Sequence, residues 1–233
     1  MTGIGDRSYP SIDRESVSRP AARAAGAIAG ACDLSAYRLA GGTALAWFLG
    51  HRRSDDLDFF TRIPGHLNDA EQARLAGRLR EVDPAATIQT AEETVHARLL
   101  GCEVSFFGQP GTWLEAPTLV AEGLALATVD EIAAMKLVAV STRSAKKDFF
   151  DLHALASRGY TAAQMFGALQ RMYSHAVDAD VGRHIVLALT DFSDAELDPD
   201  PIVLDGTTWA AAMRTAVRLA EDLRRYVDAR LST

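Results

Sequence analysis

The chain has 233 residues, 48% of them hydrophobic and 24% charged, which is ordinary for a folded protein and enough for one large or two small domains. Its formal charge of −7 excludes a surface that binds nucleic acid along its whole length, but not a local basic patch. Cys32 and Cys102 lack CxxC or Cys/His spacing, so they imply neither a disulfide framework nor a zinc site, only small buried side chains in a reducing compartment.

In chain order, residues 1–18 are polar without periodicity, and a loose terminus is expected. The alanine-rich run from 19 to about 31 reads as a helix, with Pro20 tolerated near its first turn. It is a poor signal peptide, and nothing in the chain has the roughly 18 consecutive apolar residues of a membrane span, so a cytoplasmic protein is expected. A short apolar strand at 37–40 runs into Gly41-Gly42. A helix at 43–49 follows, too apolar to be exposed, and Gly50 ends it. After the turn HRRSD comes a strand at 57–60. Asn68 with Glu71 forms a capping-box pattern for a helix to about 82, where Pro84 blocks continuation. Segments 86–90, 95–100 and 103–107 read as strands, the last two joined by a tight turn near Gly101.

Beyond 109–111 the pattern becomes helical. Thr128 with Glu131 caps a helix to about 141, and a second spans about 146–157. Thr161 with Gln164 caps a third, about 181–189 gives a fourth, and about 208–231 the last. The run 191–205 holds six acids and no base and reads as a solvated loop. The expected class is α+β: a flexible terminus over 1–18, a mixed sheet with flanking helices over 19–110, and a helical bundle over 111–233.

The chemistry concentrates in 39–62, LAGGTALAWFLGHRRSDDLDFFTR. A strand puts Asp56 and Asp58 on one face, about 6–7 Å apart, and turns Leu57 and Phe59 into a core. Such a pair suits divalent metal ions, or simply faces solvent. The Gly41-Gly42 turn, with Thr43 opening a helix, suits a phosphate, or is only a strand-to-helix turn that needs positive φ. Arg52 or Arg53 can hold phosphate, pair with an acid, or sit on a plain surface turn. Each metal ion of a two-ion site needs several oxygen ligands, and the third acid available is Glu103, which shares a strand face with Ser105. Ile132, Lys136 and Val140 fall at i, i+4, i+8, so Lys136 lies in an apolar stripe where it snorkels or meets an anion. Twelve residues on is Asp148, with Asp151 three further along on the same helix face. Lys136 bonded to Asp148 would be a fixed cation beside a triphosphate.

GGTALAWFLGHRRSDDLDFF closely resembles the signature of the AbiEii/AbiGii toxin family of nucleotidyltransferases, in the minimal-nucleotidyltransferase branch of the polymerase-β-like superfamily. TVDEIAAMKLVAVSTRSAKKDFFDLHAL resembles that family's second signature, a helical lysine followed by an R–KDF–DL block. The two blocks occur in order and extend the resemblance over roughly 39–157. The resemblance implies a nucleotidyltransferase-type sheet. It implies that Gly41, Gly42 and Thr43 form the nucleotide-phosphate turn, with Ser54 in the HRxSxD turn. Asp56 and Asp58 would be the metal pair, and Lys136 and Asp148 would complete the active site. Where the superfamily has an hDh motif on a third strand, this chain has CEVSFF, with Ser105 or Glu103 for the acid's place.

The implied activity is transfer of NMP from an NTP to a hydroxyl, with Mg²⁺ as cofactor (two ions expected). The acceptor would be the 3′ end of tRNA, and the chain would be the toxin of a toxin–antitoxin pair with a cognate antitoxin as partner. The alternatives are NMPylation of a protein hydroxyl and an inactive binding module of the same fold. Residues 136–158 carry five bases against two acids, and 206–233 five arginines against three acids. That distribution suits an approaching RNA end or helix faces laced with salt bridges.

Overall fold

The computed structural model describes residues 15–231 except 64, 110, 121–122 and 175, so most of the expected loose terminus lies outside the described residues. Its last residues are not loose. Val17 forms a bridge with Ser54, the Ser54 amide donates to the Ser16 carbonyl at 2.8 Å, and the Ser16 hydroxyl donates to the Ala46 carbonyl at 2.6 Å. The start of the chain is thereby stitched to the HRRSD turn.

From there α1 (Arg19–Ala31) leads to β1 (Tyr37–Ala40), α2 (Gly41–Leu49), β2 (Leu57–Thr61) and α3 (Asp69–Val82). Three strands follow: β3 (Thr87–Ala91), β4 (Thr94–Leu99) and β5 (Cys102–Phe107). The next pair, β6 (Thr118–Leu119) and β7 (Ala125–Leu126), falls within the segment expected to be purely helical. Their two-residue length hides them from any period-2 pattern. Together the strands form one mixed sheet of order β3-β4-β5-β2-β1-β7-β6, with β2 parallel to β5, β1 parallel to β7 and the other neighbours antiparallel. The sheet therefore continues past residue 110.

Alternation decides which face of the sheet is dry. Leu57 and Phe59 of β2, Val104 and Phe106 of β5, and Val95, Ala97 and Leu99 of β4 are buried, on the side where α1 meets β5 and α3 meets β4. The Phe59 and Phe106 rings stack at 4.9 Å, and Tyr37 meets Phe106 edge-on at 5.2 Å. Burying each such ring contributes about 2–3 kcal/mol. The alternate residues, Asp58 and Phe60 with Ser105 and Phe107, stand on the opposite face.

That opposite face meets the helical part: α4 (Val129–Arg143), α5 (Lys146–Ser157), α6 (Ala162–Met172), α7 (Ala179–Ala188), the one-turn α8 (Ser193–Leu197) and α9 (Trp209–Leu231). The capping box at Thr128 and Glu131 forms as expected. Glu131 also serves a second purpose: fully buried, it accepts from Arg38 of β1 and from the Leu114 amide, so the start of α4 is fixed to the sheet. Trp209 of α9 packs against Phe149, Phe150 and Phe192.

The acidic run is not a solvated loop: Ser193–Leu197 form α8 with Ala195 buried, and the second half is tied down as well. Val203 bridges to Arg52, the Arg53 amide donates to the Ile202 carbonyl at 2.8 Å, and Lys146 Nζ donates to the Asp198 carbonyl at 2.7 Å. It is a strap across the HRRSD turn, held by backbone pairing that charge composition does not report. Among the described residues no helix is long and apolar enough to cross a membrane.

Candidate active site

The strand-to-helix turn after β1 is built by two glycines for different reasons. Gly41 has φ +67°, a left-handed backbone that side chains disfavour. A Cβ there would also lie 2.6 Å from Asp58 Oδ2, and one on Gly42 would lie 2.4 Å from Arg52 Nη2. The turn is thus pressed against both the acid pair and an arginine. Helix α2 starts at Gly41 itself, two residues earlier than the sequence suggested, and Ala40 gives its end no side-chain cap. Its first amides lack the intrahelical partners that later turns have. Thr43 is buried, and its hydroxyl donates to the Asp56 carbonyl and lies 2.9 Å from Ser54 Oγ. Thr43 and Ser54 therefore clamp the turn to the segment that enters β2; Asp56 stands just before that strand and only Asp58 lies within it.

Asp58 pairs in register with Ala40 on one side and Ser105 on the other. Half-buried, its carboxyl is pushed above the ordinary range first by burial and then by the neighbouring Asp56 charge. Asp56 is 42% exposed, and its Oδ2 is 3.1 Å from Lys147 Nζ. An anionic pair of hard oxygens, one of them destabilised in its charged form, is a donor set that fits Mg²⁺.

The expected third acid does not join this pair. Glu103 is 55% exposed and lies opposite Arg98, to which it is bonded at 2.7 Å. Ser105, the residue in register with Asp58, is instead bonded to His96 at 3.0 Å. Among the described residues no three His, Cys, Asp or Glu side chains converge to hold a metal ion. Strand alternation gives Glu103 the right face, but the register sets it one step past Asp58, beside an arginine.

The facing wall is a buried ionic network. Lys136 Nζ lies 2.7 Å from Asp148 Oδ1, as the spacing suggested, and 2.5 Å from Asp151 Oδ2. Asp148 also takes a two-pronged contact from Arg143 at 2.8 and 2.9 Å. Asp151, fully buried, accepts from Arg52 at 2.7 and 3.0 Å and lies 2.7 Å from His51 Nε2. Arg52, expected at a phosphate, is 3% exposed and committed to Asp151.

Burial opposes every charge in this network, and its partners outweigh burial. Asp148 and Asp151 hold the Lys136 ammonium above its ordinary pKa. Arg52 and Lys136 hold Asp151 well below the carboxylate range. Asp151 is the residue missed as a site component. Its signal was present in the i,i+3 spacing from Asp148 within an otherwise apolar helix stretch. Arg143 was missed too, because it is paired with Asp148 across a helix end, where no periodicity applies.

The pieces form a cleft: glycine turn and acid pair on the sheet, and Lys136, Arg143 and Lys147 on α4 and α5. Such an arrangement can receive a polyphosphate, neutralise it and hold it beside the acid pair. Among solved structures, the nucleotidyltransferase toxin MenT4 of Mycobacterium tuberculosis H37Rv shares the fold with a TM-score of 0.55 at 18% identity, over 89% of this chain and 86% of that one. An uncharacterized protein of Aquifex aeolicus (strain VF5) is 34% identical over 161 residues, 68% of this chain and 75% of its own length. The family described as "Nucleotidyl transferase AbiEii toxin, Type IV TA system" matches residues 33–232. The chain therefore belongs to the AbiEii nucleotidyltransferase toxins, enzymes of the polymerase-β-like superfamily.

Proposed function

We propose that the chain transfers NMP from a nucleoside triphosphate to an acceptor hydroxyl at the 3′ end of a tRNA, acting as a toxin countered by a cognate antitoxin. The observation that carries this reading is the contact between the uncapped glycine turn and Asp58, which adjoins a phosphate seat to a metal-binding carboxylate. Asp56 and Asp58 would hold Mg²⁺, a hard cation suited to carboxylate oxygens. When bound, the ion supplies charge neutralisation and orientation for in-line displacement. The amides of Gly41 and Gly42 receive phosphate oxygens, and Thr43 and Ser54 keep that turn in register with Asp56. Lys136 and Arg143 offset negative charge on the opposite wall, while Asp148 and Asp151 fix where those cations sit. In this reading Arg52 positions the glycine turn through Asp151 rather than binding phosphate itself.

The acceptor side is favoured by a second cavity of about 480 Å³ beside Asp56, lined by Arg53, Lys147 and the 198–202 strap among others. Arg53 and Lys147 share that cavity with Asp55, Asp56, Asp198 and Asp200, so the reading leans on the net basic character of residues 136–158, which suits a phosphodiester backbone. The test is incubation of the pure protein and Mg²⁺ with each labelled NTP, together with total tRNA or with cell protein. Label in tRNA, lost in Asp56→Ala, is the expected result; label in protein alone would sink the tRNA reading.

A further inference from the structure

One register row crosses the sheet through Asp58. Ala40 of β1, Asp58 of β2, Ser105 of β5 and His96 of β4 are successive partners, about 4.8 Å apart from strand to strand. Val95 and Ala97 of β4, and Val104 and Phe106 of β5, are buried on the dry face. Alternation therefore sends His96 and Ser105 to the cleft face that carries Asp58. The row begins where the glycine turn starts and reaches an imidazole.

Ser105 is half-buried and His96 exposed. Ser105 Oγ and His96 Nδ1 lie 3.0 Å apart. The imidazole also meets the Phe107 ring edge-on at 5.5 Å, and Phe107 lines a cavity of about 320 Å³ beside Asp58. The other neighbours of His96 are Gln89, its partner on β3, and the Arg98–Glu103 ion pair one step along β4 and β5. Glu103 is held by Arg98, so β5 offers Asp58 a hydroxyl backed by an imidazole rather than a carboxylate.

In-line displacement puts the entering and leaving oxygens on opposite sides of the phosphorus. With the leaving pyrophosphate on the glycine turn, at the β1 side of Asp58, the entering hydroxyl comes to the β5 side, where Ser105 stands. A serine hydroxyl can accept one hydrogen bond while donating another, and a general base can work through one intervening group such as water. Resting on the nucleotidyl-transfer reading, we propose that Ser105 receives the proton of the acceptor hydroxyl and that His96, behind it, positions Ser105 and takes the proton onward. As the acceptor oxygen bonds to the α-phosphorus, the bond to the bridging oxygen breaks and pyrophosphate leaves. The acceptor proton passes to Ser105 Oγ while the serine proton passes to His96 Nδ1, and the exposed imidazolium returns a proton to solvent. Ser105 is the catalytic residue of this step and His96 a positioning residue.

The test is single-turnover transfer from labelled NTP with Mg²⁺ to tRNA, or to cell protein if that takes the label instead. His96→Ala and Ser105→Ala should each slow transfer by about 10–100-fold, at or below the lower end of general-base effects, with Mg²⁺-NTP affinity by calorimetry unchanged. The double variant should be no slower than either single one, because both remove the same relay. Ser105→Asp, which puts a carboxylate in the same place, should transfer label without needing His96. ¹⁵N NMR of the metal-free chain gives a readout apart from activity: the His96 ring should carry its proton on Nε2, and the Nδ1 signal should move in Ser105→Ala. A ring protonated on Nδ1 alone, single variants at the wild-type rate, losses that multiply in the double variant, or a Ser105→Asp chain that is inactive or still needs His96 overturns the proposal while leaving the transferase reading in place. A wild type that labels no acceptor ends both.

Discussion

Gly41 and Asp58 touch so closely that a single methyl on the glycine would lie 2.6 Å from the carboxylate oxygen, from a backbone already at φ +67°. The contact couples the phosphate turn to the acid pair, so one substitution tests both. Gly41→Ala strains the backbone and pushes Asp58 aside. A loss of about 1–3 kcal/mol of stability follows from the strain, seen as a lower melting temperature. Thermal stabilisation by an NTP with Mg²⁺ should fall by more than in a Gly30→Ala control, since a Cβ at Gly30 meets nothing within 4 Å.

Asp58 is held at a cost to the empty fold. Its folded-state pKa lies above the ordinary 3.8, so ionising it is harder in the folded chain than in the unfolded one. Asp58→Asn removes that cost at neutral pH while removing a metal-binding oxygen. The expected outcome is a melting temperature a few degrees higher without ligand, together with loss of the Mg²⁺-NTP shift. The gain should shrink as pH falls toward and below 3.8, where the wild-type carboxyl is itself protonated. A variant less stable than wild type at pH 7 would contradict the account.

The central strands and the long helices were legible because period-2 and period-3.6 patterns survive in their buried residues, as in Leu57 and Phe59 or in Ile132, Lys136 and Val140. The Lys136–Asp148 pair was legible in part for the same reason: a lysine inside an apolar stripe snorkels or meets an anion, and here it meets Asp148. What escaped depended on chain pairing. Strands β6 and β7 are too short to show alternation, and the strap at 198–204 is made by backbone pairing with His51 to Arg53 and by bonds to Lys146, a residue far away in sequence that no local pattern links to it. Glu103 illustrates the limit most clearly. Alternation gave its face correctly, but only the β2–β5 register puts Ser105 rather than Glu103 beside Asp58.

Asp151 should matter more to folding than any exposed acid, because His51, Arg52 and Lys136 all converge on it in a buried place. Asp151→Asn leaves two buried cations short of charge and should cost about 3–5 kcal/mol. Its folded-state pKa is well below 3.8, so its contribution is fully present above the unfolded pKa and is lost as pH falls through the folded value. In chemical denaturation from pH 7 downward, the gap between wild type and Asp151→Asn should stay level to about pH 4 and close only at lower pH. A gap that narrows between pH 7 and 5 would assign the stabilisation to some other group.

Lys147 makes the opposite case. Its ion pair with Asp56 is 42% exposed on both sides, so the pair adds little stability; exposed pairs are worth about 0–1 kcal/mol. Lys147→Ala should therefore melt within a degree or two of wild type. Its effect should fall on ligand binding, because the ammonium lies beside Asp56 in the cavity that Arg53 also lines. If it assists a polyanionic acceptor, the variant should bind tRNA more weakly and with a shallower dependence on salt, since one fewer cation displaces counterions. NTP affinity in the absence of tRNA should change far less than in Lys136→Met. Filter binding of tRNA at a series of salt concentrations separates the two outcomes, and an unchanged salt slope would remove Lys147 from the acceptor path.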